Sequence, residues 1–153
     1  MSARHNDDRY HHEAMKLGDL VTDLYGAFVA WGSLYGDTDD GEEQRMRQER
    51  VTDLLKELFT RYLPQSIWIE KTDRKKIECF IGKAEDLYGR FSKEIKEMGY
   101  PQVRSNIAYR VSKDLGPLRK EAEACLGAEM SGTHKDRRSG RLRAIREEAQ
   151  EKE

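Results

Sequence analysis

Histidine is the residue type from which a metal site or an acid–base pair is most readily built, and the chain has four histidines. His5, His11 and His12 stand near the N-terminus, and His134 stands in a polar C-terminal stretch. Metal sites on helices use His and Glu three or four residues apart, as in Glu-x-x-His. Neither that motif nor His-x-x-x-His occurs in the sequence. We therefore expect no bound metal and no cofactor.

Acidic side chains crowd the segment Asp37–Glu43, which is the strongest candidate for a calcium loop. Such a loop needs glycine at position 6 and glutamate at position 12. A loop that starts at Asp37 instead has Gly41 at position 5 and Gln48 at position 12. The segment is therefore better explained as the acidic start of a helix, where carboxylates interact favourably with the helix dipole.

Cys79 and Cys125 are the two thiols, and both have apolar neighbours that raise a thiol pKa and lower its reactivity. If the helices on either side of Gly99–Pro101 are antiparallel, Cys125 lies about one turn from the position opposite Cys79. A disulfide is then geometrically possible, but two buried free thiols in a reducing compartment are the favoured interpretation. The sequence contains no Gly-rich phosphate loop and no Ser/His/Asp arrangement that would indicate catalysis.

The C-terminal stretch from Ser131 to Glu153 holds the strongest nucleic-acid signal. Six basic residues against Asp136 give a charge of +5 within twelve residues, which is enough to neutralise several phosphates. No aromatic residue lies among them for base stacking, so a solvated charged tail is the competing interpretation. The six are Lys135, Arg137, Arg138, Arg141, Arg143 and Arg146.

The elements that position these residues are helices, because the apolar residues recur every three or four positions. In the first stretch the steps are 4, 3, 4, 3 and 4, which predicts a helix over about residues 8–35. A second helix is predicted to end at about Tyr62, where Pro64 stops it. Its apolar face is Val51, Leu54, Leu55, Leu58, Phe59 and Tyr62. A third, capped by Thr72 or Asp73, is predicted to run to Met98. The stripe of the first helix is Leu17, Val21, Leu24, Phe28, Trp31 and Tyr35.

A fourth helix is predicted from Pro101 to about Met130, with Gly116-Pro117 inside it. The apolar stripe stays in register across the proline, which favours a kink over a break. The alternative is two shorter helices that meet at Lys113–Pro117. Between the second and third helices, Ile67–Ile69 is predicted to lie across the end of the bundle.

Glycines interrupt the first helix, and each costs about 1 kcal/mol relative to alanine. Gly26 and Ala30 are four residues apart and would let another helix approach closely. One interpretation is a contact face for a partner or for a second copy of the chain. The other is tight packing inside the bundle, or an early helix end at Gly32.

These patterns predict an all-α protein, an antiparallel up-down four-helix bundle with long helices. Residues 1–130 form the bundle, and residues 131–153 form a flexible charged tail that is disordered or weakly helical. No apolar run exceeds five residues, so we expect no membrane segment. The N-terminus carries two aspartates where a signal peptide would be apolar, and a cytoplasmic location is the expectation.

Composition favours interaction over catalysis. Of 153 residues 57 are charged, yet the net charge is only −1. Residues 1–43 hold ten acidic and three basic residues, a net charge of −7, so the rest of the chain is basic. This partition favours complementary packing within or between chains. The first hypothesis is a non-enzymatic interaction or scaffold module that binds a protein partner or itself. The alternatives are a nucleic-acid-associated regulator that uses the tail and, third, an all-helical enzyme.

Overall fold

The computed structural model describes residues 3–33 and 41–131, and it confirms the all-α bundle. Apart from short turns and connections, those residues are helical, and none of them forms a strand. A 3₁₀ turn, Ser66–Trp68, follows the second helix, and a π-helical turn, Val111–Leu115, joins the last two. The helices are α1 (Ala3–Gly32), α2 (Gly41–Gln65), α3 (Lys71–Met98), α4 (Tyr100–Arg110) and α5 (Gly116–Ser131).

The helices pack in chain order around one core, and the path formed by α4 and α5 closes the ring against α1. The antiparallel order of α2 and α3 is visible in two hydrogen bonds. Gln48 Nε2 donates to Ser92 Oγ at 3.1 Å, and Thr52 Oγ1 donates to Tyr88 Oη at 2.6 Å. A step of four residues forward on α2 thus matches a step of four backward on α3.

The stripe predicted on α1 forms the centre of the core, and its members from Leu17 to Trp31 are fully or almost fully buried. The Trp31 ring lies between three other aromatic rings, which fixes the relative positions of α1 and α3. Its centroid is 6.3 Å from that of Phe28, 5.9 Å from Tyr88 and 5.8 Å from Phe91. Aromatic pairs at such distances add to the stability that apolar burial provides.

The boundaries of three helices differ from the sequence-based expectation. α1 begins at Ala3, earlier than predicted, and ends at Gly32, which agrees with the alternative of an early helix end at that glycine. α2 continues through Pro64 to Gln65, because a proline in the last turn removes only one of the final hydrogen bonds. The N-cap of α3 is Glu70, so neither Thr72 nor Asp73 caps it.

The helical path does not break at Pro117. It continues from α4 to α5 through the π turn, where the Gly116 N–H bonds to the Val111 carbonyl five residues earlier. The wider turn just precedes the proline, whose ring would clash with a regular α-helical carbonyl four residues before it. The path is therefore helical throughout, and it is divided into two α-helices, α4 and α5, by the π turn at Val111–Leu115.

The connection between α3 and α4 is a single residue, Gly99, which has φ of 85°. This left-handed conformation strongly favours glycine over residues that carry a Cβ. The Gly99 N–H bonds to the Ile95 carbonyl at 2.8 Å and so closes the end of α3. Directly after it, the hydroxyl of buried Tyr100 donates to the Trp31 carbonyl near the end of α1. The turn thus holds α4 against α1.

Candidate interaction surface

The predicted contact face at Gly26 and Ala30 is only partly exposed. A Cβ added to Gly26 would meet no atom within 4 Å, so this glycine faces solvent and is not needed for packing inside the bundle. Ala30 is half-buried, and its carbonyl accepts a hydrogen bond from Arg47 Nη1 at 2.8 Å. The tight contact of α1 occurs at Gly32, where an added Cβ would lie 2.8 Å from the backbone nitrogen of Ala108.

The basic residues predicted to contact nucleic acid lie outside the described residues, as does the tail from residue 132 onward. The acidic helix start at Asp39 and Asp40 lies outside them too. Those interpretations remain predictions from the sequence. The set that the nucleic-acid hypothesis uses is Lys135, Arg137, Arg138, Arg141, Arg143 and Arg146.

The cysteines differ in exposure. Cys125 is buried and Cys79 is exposed, and both are free thiols. The expectation of two buried thiols is therefore wrong for Cys79, whose position on α3 faces away from the core. The possible disulfide is not formed in the structure.

Among the described residues, no three His, Cys, Asp or Glu side chains lie close enough together to hold a metal ion. His11 is half-buried and His12 is exposed on α1. No helix of the described ranges is both long enough and apolar enough to cross a lipid bilayer.

A shallow cavity of about 250 Å³ lies between α1 and α5 and contains acidic side chains. Its polar groups are engaged with each other: Thr22 Oγ1 donates to Glu123 Oε1 at 2.8 Å, and Arg119 pairs with the same carboxylate at 3.3 Å. Asp19 is the other carboxylate in the lining. The hydrogen bond between Thr22 and Glu123 joins the two helices across the cavity.

The expectation that Ile67–Ile69 lies across the end of the bundle is wrong for two of its three residues. Only Ile69 is buried, with 4% of its surface exposed. Ile67 is 73% exposed and Trp68 is 65% exposed, the largest exposed fractions among the exposed large hydrophobic residues. The 3₁₀ turn explains the difference, because it directs two of the three side chains into solvent before the chain bends into α3.

Two more exposed apolar residues lie near the end of α2, just before this 3₁₀ turn. Phe59 is 43% exposed and Leu63 is 52% exposed. They are four residues apart within α2 and therefore lie on one side of the helix, and Ile67 and Trp68 follow the end of α2 at Gln65. We call Phe59, Leu63, Ile67 and Trp68 the apolar surface. Their exposed fractions correspond to roughly 450 Å² of side chain, within the range at which patches on monomers are often functional.

Tyr62 anchors the apolar surface to the core. Its side chain is only 2% exposed, on the face of α2 that packs inward. Burial raises the pKa of the Tyr62 phenol, and the nearby carboxylate of Glu78 raises it further, while Arg74 partly opposes the shift. Tyr62 thus stays neutral well above the pH at which an exposed tyrosine ionises.

Opposite charges stand at the two ends of the apolar surface. Lys56 and Glu57 are exposed one turn before Phe59 on α2. Glu70 and Lys71 follow the 3₁₀ turn at the start of α3. Lys56 precedes Glu57 before the apolar surface, and Glu70 precedes Lys71 after it. A charged rim around an apolar centre is the usual anatomy of a protein interface.

Comparison with protein-family models, with curated proteins and with solved structures finds no match to this chain. Among the exposed large hydrophobic residues of the described ranges, four lie within ten residues of the chain, at the end of α2 and in the turn after it: Phe59, Leu63, Ile67 and Trp68.

Reasoning from the sequence missed this surface because it assigned Phe59 to the buried face of the second helix. A usable signal was present. Leu58 and Phe59 are consecutive, so they point about 100° apart on a helix, and both cannot face the centre of the core. The apolar arc of α2 is wider than its neighbours can cover, and the structure buries Leu58 completely while it leaves Phe59 exposed.

Proposed function

We propose that the protein is a non-enzymatic helical interaction module and that the apolar surface is where it binds another protein chain. The observation that carries the proposal is that Phe59, Leu63, Ile67 and Trp68 are all exposed within ten residues of the chain and lie outside the core cluster. Monomeric proteins rarely expose contiguous apolar patches larger than a few hundred Å² unless those patches bind something.

The composition of the surface supports a protein partner. Tryptophan and phenylalanine are enriched in interface cores, and truncation of such residues often costs most of the binding energy. Trp68 follows exposed Ile67 in the turn after α2, and charged residues stand before and after the apolar surface. Phe59 and Leu63, four residues apart on α2, have the spacing with which helices dock side by side.

A capture experiment tests the proposal. The full chain and two variants, Leu63→Glu and Met46→Glu, are used as bait with extract of the protein's own cells, and each captured protein is then purified and its binding measured directly. Met46 is 62% exposed and lies on the same helix about 20 Å from Phe59, so it is the matched control.

The proposal predicts a purified partner, another protein or the chain itself, that binds the wild type and the Met46 variant and loses at least about 30-fold in affinity for the Leu63 variant. Equal binding by all three would show that the apolar surface is not the contact. Circular dichroism of each variant establishes that the bundle is intact, as expected for exposed positions.

The location we propose is cytoplasmic. Cys79 is an exposed free thiol, and free thiols persist in reducing compartments. Labelling of the protein in its own cells would place it there or elsewhere.

A further inference from the structure

We draw no further inference here: the strongest candidate, the apolar surface at the end of α2 and in the turn after it, carries nothing beyond the proposed binding of a protein chain, because nothing in the part of the chain that the structure describes shows what covers it and exposed charges of both signs, Lys56 and Glu57 among them, stand beside it.

Discussion

Gly32 is the residue that sets how closely α1 and α4 approach. A Cβ at this position would lie 2.8 Å from the backbone nitrogen of Ala108, 3.0 Å from its Cα and 3.2 Å from Ile107 Cγ2. Backbone atoms of a packed helix cannot move aside without shifting the helix. The requirement for glycine here therefore comes from packing against α4, which lies 75 residues further along the chain.

We expect Gly32→Ala to destabilise the protein by about 1–3 kcal/mol, because it overpacks the contact between α1 and α4. The matched control is Gly26→Ala, which introduces a methyl group into open space on the same helix. That change should stabilise the protein by about 0.5–1 kcal/mol, because alanine has a higher helix propensity than glycine. Urea unfolding measures both, and a Gly32 variant as stable as the Gly26 variant would contradict the close approach.

Tyr62 makes stability depend on pH in the alkaline range. Its pKa is raised above the ordinary value of 10.0 in the folded protein, chiefly by burial. Above pH 10 the unfolded chain releases the phenolic proton while the folded chain keeps it, so the unfolded state binds fewer protons and stability falls as pH rises. The stabilising contribution is complete below pH 10.

We expect the free energy of unfolding to lose up to about 1.4 kcal/mol per pH unit above pH 10 on account of Tyr62. Tyr62→Phe removes this contribution, while the other titrating groups remain in both proteins. Urea unfolding of the wild type and of Tyr62→Phe between pH 9 and pH 11 gives the slope of the free energy of unfolding against pH for each protein, and the wild type is expected to have the steeper fall. Identical slopes would show that the Tyr62 phenol ionises equally in the folded and unfolded states.

At the scale of elements, the end of α1 is stabilised by side chains from the neighbouring helices. Arg47 of α2 donates to the Ala30 carbonyl at 2.8 Å and also pairs with Glu43 at 3.1 Å. Tyr100 of α4 donates to the carbonyl of Trp31. Carbonyls at a helix C-terminus have no partner within the helix and carry partial negative charge, so a cation there is favourable.

We expect Arg47→Met to cost about 1–2 kcal/mol, because it keeps the apolar stem but removes the charged donor from the end of α1. Arg50→Met, at an exposed position one turn further along α2, should change stability by less than about 0.5 kcal/mol. Thermal unfolding at neutral pH compares them. Equal effects of the two substitutions would mean that the contact with Ala30 contributes nothing specific.

The existence of the helices could be predicted from the sequence, because a periodicity such as that of α1 from Leu17 to Trp31 decides which face is buried. The residues at which the helices end were harder to predict. Pro64 and Pro117 both lie within helices, since a terminal turn in one case and a π turn in the other accommodates the missing N–H. A proline disfavours helix continuation locally, but the packing of the helix against its neighbours decides whether the helix continues through it.

The candidate site was the least predictable part. Sequence reasoning identified Gly26 and Ala30 as a contact face and placed Phe59 in the core. Whether an apolar side chain such as Phe59 is covered depends on how far the neighbouring helix extends over it. That distance is a property of the assembled bundle, so the local pattern indicates that Leu58 and Phe59 cannot both face the core but does not say which of them is exposed.

At the scale of the whole molecule, the core and the proposed contact surface occupy different parts of the bundle. α1, α2, α3 and the path formed by α4 and α5 enclose one core, and contacts at Gly99 and Arg47 hold ends of these helices. The apolar surface lies outside that core, so substitution there is expected to change the proposed binding without unfolding the bundle.

Acrylamide quenching of tryptophan fluorescence tests most directly whether the apolar surface is a binding interface, because the two tryptophans of the chain differ in exposure. Trp31 is completely buried and Trp68 is 65% exposed, so the emission that acrylamide quenches belongs to Trp68. We predict that this quenching weakens when the partner captured by the full chain is purified and added in excess, because the bound partner covers Trp68. If Trp68 is quenched equally with and without the bound partner, the apolar surface is not the interface.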